Sequence, residues 1–437
     1  MSQTFVVTAF AASLPLLCLG TASAQCYTTS GQLGRVTVAA SSIPVPGPLP
    51  NTTADVLQID CDDVPSIGVT IQVTEPPPGV PYRGTVVICS GGRGLTFFSS
   101  ETFGLPLFQQ LLPLGFRLVD RAWLPGWFTH KVSVRRQSCR FATLLQYIKT
   151  NYHTGGPFLA MGSSGGAAEI AYTMVAWDGE STLDGVVLGG GPPMARLDYQ
   201  CPDPPSPRWL EMCQALIPPN VITCGIVGCT RIQRGFGLCD ACEPTPTTME
   251  LAEDSLLHTG ADLDYPNTRV HILNGSEDCF DTLPSSMLYY NAITSEKVRE
   301  FVPGAPHFVV QTQDGIDAIK RALLAEATCQ PGTMEYREWP HLGGALALDV
   351  HGRPGDNFYV FSSASSAILP IGPLGWLFLG APVFQGGGQL DANGDGALIQ
   401  PIPVLPALLG FEAYYQALIG TCLGNVVRFE FLPEVTP

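Results

Sequence analysis

The stretch Phe158-Leu159-Ala160-Met161-Gly162-Ser163-Ser164-Gly165-Gly166-Ala167-Ala168-Glu169-Ile170 joins an apolar strand, a Gly-x-Ser-x-Gly turn and a small-residue helix start. A serine hydroxyl is a poor nucleophile unless it is exposed beside a base, and a sharp strand-to-helix turn exposes it only where its neighbours lack bulk. Gly162 and Gly166 meet that need. The stretch therefore predicts Ser164 as a nucleophile. The alternative is a glycine-rich loop in which the serines have no chemical role.

Two later segments supply a carboxylate and a histidine, in that order along the chain. The segment from Arg269 to Asp278 is predicted to be a strand followed by a Gly-x-x-Asp turn that ends at Asp278. Residues 298–302 are predicted to form another strand, and a Pro/Gly loop then leads to His307. Catalytic groups in open α/β sheets gather at the carboxyl ends of strands, where Ser164 is also expected. Asp281 is the reserve candidate for the acid.

The order serine, acid, histidine resembles that of the α/β-hydrolase fold superfamily. The resemblance implies a mostly parallel sheet with helices on both faces. It also implies that Ser164 is the nucleophile, that His307 is the general base and later the acid, and that Asp278 orients His307 and balances its charge.

The superfamily stabilises its oxyanion with two backbone N–H groups, and both are available in this sequence. Gly165, at the helix start, supplies the first. The second is expected from the loop Ser90-Gly91-Gly92-Arg93-Gly94, where Gly91, Gly92 and Arg93 all remain candidates. The family often begins this loop with His-Gly-Gly, whereas this chain has Ser-Gly-Gly. A phosphate cradle is disfavoured because neither a Gly-Lys-Ser/Thr sequence nor Gly-x-Gly-x-x-Gly spacing occurs there, and no cofactor or metal is predicted.

The first 24 residues are predicted to be an export signal. An apolar run over residues 5–19 precedes an Ala-x-Ala sequence at residues 22–24, so that the mature chain would begin near Gln25. A membrane anchor is the competing interpretation, but the segment is short and contains Pro15 and Gly20. We therefore expect a secreted or periplasmic protein without a membrane span.

Residues 192–266 are predicted to form a cysteine-rich cap insertion over the site. Six cysteines lie in it: Cys201, Cys213, Cys224, Cys229, Cys239 and Cys242. An exported chain favours disulfides among them, and a structural zinc site is the alternative. Trp209, Met212 and Phe236 are expected to form the small core of the insertion, or else to line the pocket. Trp123 and Trp127 are stronger candidates for contact with substrate.

A change in pattern near residue 330 predicts two domains. Strands and helices alternate over residues 25–330, the predicted catalytic domain, whereas residues 331–437 read as short strands and turns, typical of an all-β sandwich. This C-terminal part resembles a β domain appended to some exported bacterial proteins. Within it, the loop from Asp391 to Asp395 matches the start of an EF-hand, but Ile402 occupies the position of the final glutamate. A hairpin turn is favoured over a calcium site.

The formal charge of −16 disfavours nucleic acid as a partner. The leading hypothesis is a secreted serine hydrolase that cleaves small or polymeric carboxylic esters through an acyl-enzyme. A serine peptidase or amidase of the same fold is one alternative, and a non-catalytic exported binding protein on a hydrolase scaffold is another. The sequence does not define the ester, the disulfide connectivity or the oligomeric state.

Overall fold

A computed structural model describes most of the chain. The described residues are 32–128, 132–201, 206–209, 211, 248–278, 282–326, 333–337, 340–352, 354–371, 376–420 and 422–431. The predicted signal, residues 1–24, lies outside them, as does most of the predicted cap insertion with five of its six cysteines. The predicted domain boundary near residue 330 also lies outside them and stays a prediction.

Nine strands form the largest described sheet. In chain order they are β1 (Arg35–Pro44), β2 (Thr52–Asp60), β3 (Ile67–Thr74), β4 (Gly84–Cys89), β5 (Phe116–Leu124), β6 (Phe158–Ser163), β7 (Gly185–Gly189), β8 (Arg269–Gly275) and β9 (Lys297–Val302). Their spatial order is β1-β2-β3-β5-β4-β6-β7-β8-β9. Strands β1 to β3 pair antiparallel with one another, and β3 pairs antiparallel with β5. All pairs from β5 through β4 to β9 are parallel.

Helices cover both faces of this sheet. The described helices are α1 (Gly104–Leu111), α2 (Val134–Gln137), α3 (Cys139–Tyr152), α4 (Gly165–Ala176), α5 (Leu197–Gln200), α6 (Thr248–Asp254), α7 (Thr282–Ala292) and α8 (Gln313–Glu326). Successive residues of β4 point to opposite faces, so Val87 packs with α3 and α4 while Val86 packs with α1 and α8. Every residue of β4, β6, β7 and β8 is buried, as parallel strands covered on both faces require. This three-layer arrangement is the α/β-hydrolase fold, and the predicted fold class is confirmed.

The C-terminal part consists of short antiparallel strands. They are β10 (Thr333–Tyr336), β11 (Ala345–His351), β12 (Asn357–Ser363), β13 (Ser366–Pro370), β14 (Trp376–Leu379), β15 (Val383–Gln389), β16 (Asp395–Pro401), β17 (Glu412–Ile419) and β18 (Cys422–Glu430). One sheet has the order β10-β11-β16 and another the order β15-β12-β17-β18, with β13 and β14 as a separate pair. Leu348 and Val350 of β11 share one apolar cluster with Phe358 and Val360 of β12. The two sheets therefore enclose a common core, as a sandwich does.

The sandwich is joined to the large α/β sheet and its helices through a shared core. Phe378 of β14 and Val426 of β18 lie in the same buried cluster as Ile319 of α8. At the edge of this contact, the Arg428 guanidinium donates to Asp314 at 3.1 Å. The C-terminal strands therefore help to cover α8, which itself covers one face of the large sheet.

A disulfide that the sequence analysis did not single out links Cys61 to Cys139. Cys61 follows β2 and Cys139 begins α3, so the bridge fastens the antiparallel edge of the sheet to a covering helix. Cys201 of the predicted cap is also disulfide-bonded, in agreement with the disulfide hypothesis at that position. The remaining cap cysteines lie outside the described residues.

Replacing both Cys61 and Cys139 with alanine is expected to lower the free energy of unfolding by about 4 kcal/mol, because the bridge closes a loop with a sequence separation of 78. Urea denaturation measures the change. Cys89→Ala is the control, since Cys89 is a buried free cysteine and its removal costs only about 1 kcal/mol of packing. A double variant as stable as this control would contradict the prediction.

The EF-hand-like loop is a turn between β15 and β16. The backbone N–H groups of Asn393 and Asp395 donate to Asp391 Oδ1 at 2.8 and 3.0 Å, and Gly394 has a φ of 86°. These contacts favour the turn over a calcium site. Across the described part of the chain, we found no cluster of three or more His, Cys, Asp or Glu side chains that could hold a metal ion. No described helix is both long and apolar enough to cross a membrane.

Next to this turn, His351 lies between two carboxylates. Its Nδ1 is 2.8 Å from Asp395 Oδ1 and its Nε2 is 3.8 Å from Glu335 Oε1. Interaction with the Glu335 carboxylate, and then with the Asp395 carboxylate, raises the pKa of His351 to about 9. The folded chain therefore holds this proton more tightly than the unfolded chain, whose histidine pKa is about 6.5.

The stabilisation from His351 is expected to be complete below pH 6.5 and to disappear as the pH rises through 9. We expect His351→Gln to lower the urea midpoint at pH 6 but to leave it nearly unchanged at pH 10, relative to wild type at each pH. His341→Gln is the control for loss of an imidazole from the same part of the chain. Equal destabilisation of His351→Gln at both pH values would contradict the assignment.

Candidate active site

Ser164 lies at a sharp turn between β6 and α4. Its φ is 52° and its ψ is −114°, a positive-φ conformation that a residue other than glycine adopts at a cost of about 1–3 kcal/mol. Two backbone hydrogen bonds fix the turn, from Ser164 N to Gly189 O at 2.8 Å and from Ala168 N to Ser164 O at 3.0 Å. The strand–turn–helix context predicted for Ser164 is therefore present.

Close backbone contacts explain the glycines of the turn. A Cβ atom on Gly162 would lie 2.5 Å from the Gly166 carbonyl, and one on Gly166 would lie 2.4 Å from the Cys89 carbonyl. Distances this short exclude any side chain. The glycines thus allow α4 to begin directly against the ends of β4 and β6.

The turn at Ser164 lies at a topological switch point of the sheet, where strands are added on opposite sides of β4. After β4 the chain adds β5 on one side, and it then returns to add β6 on the other side. The connections leaving β4 and β6 therefore diverge, which opens a crevice at their carboxyl ends. Ser164 follows β6 and the loop 90–94 follows β4, so both border this crevice.

Loop 90–94 contacts the start of α4 through two glycines, Gly92 and Gly165. Gly94 N donates to Gly91 O at 3.1 Å, which closes a tight turn in which Gly92 has a φ of 60°. A Cβ on Gly165 would lie 2.0 Å from the Gly92 oxygen and 2.7 Å from the Gly92 nitrogen. The two predicted oxyanion-binding segments are therefore in direct backbone contact.

Asp278 and His307 form a buried pair. Asp278 follows β8 in a turn closed by its N–H to Gly275 O at 3.2 Å, and His307 follows β9. His307 Nδ1 and Asp278 Oδ2 are 3.0 Å apart, and each residue is no more than 3% exposed. If Nδ1–H donates to the carboxylate, then Nε2 is the unprotonated ring nitrogen, the one that can take up a proton. The reserve acid, Asp281, lies outside the described residues.

Glycines at the end of β7 and directly after it bring the Ser164 and His307 segments together. Gly189 O accepts the Ser164 N–H, and a Cβ on the next residue, Gly190, would lie 2.2 Å from His307 O and 3.3 Å from His307 Nδ1. A Cβ on Gly191 would lie 3.2 Å from Ser164 O. This short glycine segment thus contacts the serine turn and the histidine loop at once.

Thr282 is a site residue that sequence reasoning missed. It begins α7, and its hydroxyl donates to Asp278 Oδ2 at 3.2 Å while lying 3.3 Å from His307 Nδ1. It therefore helps to orient the acid. The sequence carries no signal for this role, because a threonine four residues after an aspartate is common in helix starts.

The two tryptophans predicted to contact substrate are fully buried. Trp123 Nε1 donates to Glu169 Oε1 at 2.6 Å, and Trp127 Nε1 donates to Gly92 O at 3.3 Å. Both indoles thus support the loop and the helix that border the crevice, and their placement does not favour contact with substrate. Trp209 is also buried, whereas Met212 and Phe236 lie outside the described residues.

Burial also sets the ionisation of groups beneath the crevice. It raises the pKa of the Cys89 thiol well above its usual value, so this cysteine stays a protonated thiol rather than a competing thiolate. It raises the pKa of Asp120 to about 6, although the N–H groups of Ser99 and Phe98 favour the carboxylate.

Comparison with known proteins finds solved structures to which this chain is similar. Neither a family model nor a curated protein matches the chain. Brefeldin A esterase, a bacterial homologue of human hormone sensitive lipase, is 14% identical and gives a TM-score of 0.43, with 64% of this chain and 79% of that chain covered. Acetyl xylan esterase 1 from Thermoanaerobacterium sp. is 15% identical and gives 0.35, with 64% and 88% covered. A serine hydrolase without a lid from Xanthomonas campestris is 12% identical and gives 0.36, with 63% and 96% covered. The fold assignment itself rests on the sheet order described above.

Proposed function

We propose that this chain is a secreted serine hydrolase that cleaves carboxylic esters through an acyl-enzyme. The observation that carries the proposal is the 3.0 Å contact between His307 and Asp278 beside the strained turn at Ser164. In this proposal Ser164 attacks the ester carbonyl, and His307 takes its proton and passes it to the leaving alcohol. Water then attacks the acyl-enzyme carbonyl, and His307 takes the proton of the water and returns it to Ser164 as the acid product leaves. Asp278 holds the imidazole and stabilises its positive charge.

The oxyanion that forms during each attack needs hydrogen-bond donors. We assign these to Gly165 N–H, at the positive end of the α4 dipole, and to a backbone N–H of Gly91 or Gly92 in the facing loop. Support comes from the backbone contact between Gly165 and Gly92. Such donors act mainly on the transition state, where the charge develops.

A fluorophosphonate label and p-nitrophenyl esters test the proposal together. Wild-type protein should add one label by intact mass and hydrolyse an ester from a series of short, medium and long acyl chains. Labelling with cleavage of amide or peptide substrates alone would favour the peptidase or amidase alternative. Neither labelling nor turnover would favour the non-catalytic binding protein.

The proposed location rests on the predicted signal at residues 1–24 and on disulfide bonding at Cys61, Cys139 and Cys201. Disulfides persist in oxidising compartments and are rare in the cytosol. The acidic balance of the chain disfavours anionic partners through long-range repulsion, and we propose a neutral ester, small or polymeric, as the substrate class.

A further inference from the structure

A fully buried ion pair lies beneath the candidate oxyanion site. Arg121 is on β5, and Glu169 is on α4, five residues after Ser164. The guanidinium contacts the Glu169 carboxylate directly, and both side chains are completely shielded from solvent. The pair therefore connects the strand below loop 90–94 to the helix that carries Gly165.

The guanidinium also binds the loop itself. Arg121 donates from one terminal nitrogen to Ser90 Oγ at 3.2 Å and Gly94 O at 3.4 Å, and from the other to Ser90 O at 3.3 Å. It thus binds both ends of the loop. A Cβ on Gly94 would lie 2.3 Å from the same guanidinium, so loop and arginine are in close contact.

The Glu169 carboxylate also accepts a hydrogen bond from the indole of Trp123. Its Oε1 accepts from Trp123 Nε1 at 2.6 Å, and Trp123 N donates to Gly94 O at 2.8 Å. Glu169 therefore has one oxygen on the arginine and one on an indole whose own backbone binds the loop. The network leaves neither carboxylate oxygen unpaired.

Stability alone does not account for such a pair. Removing two charges from water costs several kcal/mol each, and well-packed apolar residues of similar volume often stabilise a fold as well or better. What the charged pair adds is geometry, because a guanidinium and a carboxylate hold several partners at fixed distances and angles. Here the partners are the loop after β4 and the helix after Ser164.

We propose that Arg121 and Glu169 are positioning residues that set the spacing between loop 90–94 and the start of α4, and so align the two oxyanion donors. The inference rests on the proposed hydrolase function. An oxyanion donor acts at about 3 Å, and the loss of one such donor lowers kcat by about 100- to 1000-fold. Release of the loop should therefore affect the transition state far more than the binding of substrate.

The test is the double variant Arg121→Met/Glu169→Leu, which removes both charges and so leaves no unpaired buried ion. We expect kcat and kcat/KM for a p-nitrophenyl ester to fall together by about 100-fold, the signature of an interaction made in the transition state. The urea midpoint should fall only moderately, because the variant leaves the Trp123 indole N–H and the Ser90 carbonyl without these partners but leaves no buried charge. Glu169→Gln, which keeps an oxygen for Trp123, should give a smaller loss of kcat.

The matched control is a second buried ion pair, Arg321 with Glu300, which joins α8 to β9 with a 2.6 Å contact. The variant Arg321→Met/Glu300→Leu should keep kcat within about twofold of wild type.

Full kcat in the Arg121→Met/Glu169→Leu protein, or an equal loss in the control, would overturn the inference while the proposed function stands. If the double variant does not fold, then Glu169→Gln decides, and wild-type kcat in that protein overturns the inference. Absence of labelling and turnover in wild type would instead overturn the proposed function, and the inference with it.

Discussion

Replacing Ser164 with alanine is expected to abolish fluorophosphonate labelling and to lower ester hydrolysis by about four to six orders of magnitude. The physical reason is the loss of the only protein atom that forms a covalent bond with the acyl group in the proposed mechanism. The turn itself should survive, because its backbone bonds to Gly189 and Ala168 do not use the serine hydroxyl. Intact-mass labelling and p-nitrophenyl ester turnover measure the two effects.

Ser163→Ala is the matched control for this variant. Ser163 ends β6 and is fully buried, and its hydroxyl has no hydrogen-bond partner among the described residues. Its loss should leave labelling stoichiometry and turnover within a fewfold of wild type. Labelling that persists in Ser164→Ala, or that maps to Ser163, would remove Ser164 from the mechanism.

The main chain of the site was predictable because its signals are local. A strand, a Gly-x-Ser-x-Gly turn and a helix start lie within thirteen residues, and the contacts of Gly162 and Gly166 show why that spacing needs glycine. Parallel order then places the ends of β6, β8 and β9 at one edge of the sheet. Sequence reasoning therefore placed Asp278 and His307 at the same sheet edge as Ser164, and their roles in catalysis stay a prediction.

Interactions between distant segments were not predictable in the same way. Arg121 and Glu169 are separated by 48 positions, and neither stands in a pattern that predicts an ion pair. The bridge from Cys61 to Cys139 spans 78 positions, whereas the sequence drew attention to the denser group of cysteines that begins at Cys201. Pairing across such separations depends on the folded sheet, because only the sheet brings the partners together.

The tryptophans show how a pattern of strand ends misleads. Trp123 and Trp127 lie close to the carboxyl end of β5, which predicts exposure to the crevice. Strand β5 is nevertheless covered there by loop 90–94, and both indoles turn beneath that loop to reach Glu169 and Gly92. Both side chains are therefore buried beneath the loop that borders the crevice, instead of lining the crevice itself.

The second large effect is expected at the pair formed by Asp278 and His307. His307→Ala should lower ester hydrolysis by several orders of magnitude, because no group would then accept the proton of Ser164. Asp278→Asn should lower it by about four orders. An asparagine amide that donates to Nδ1 leaves the proton on Nε2, where the imidazole can no longer act as a base.

The matched control for Asp278→Asn is Glu277→Gln, which neutralises the adjacent exposed carboxylate. Because Glu277 faces solvent, its charge is screened, and turnover should stay within about twofold of wild type. Circular dichroism should show each variant folded, since Thr282 still contacts both positions in the asparagine protein. Wild-type turnover in folded Asp278→Asn would exclude Asp278 as the acid. Asp281→Asn would then be the next variant to measure, and a large loss there would assign the role to Asp281.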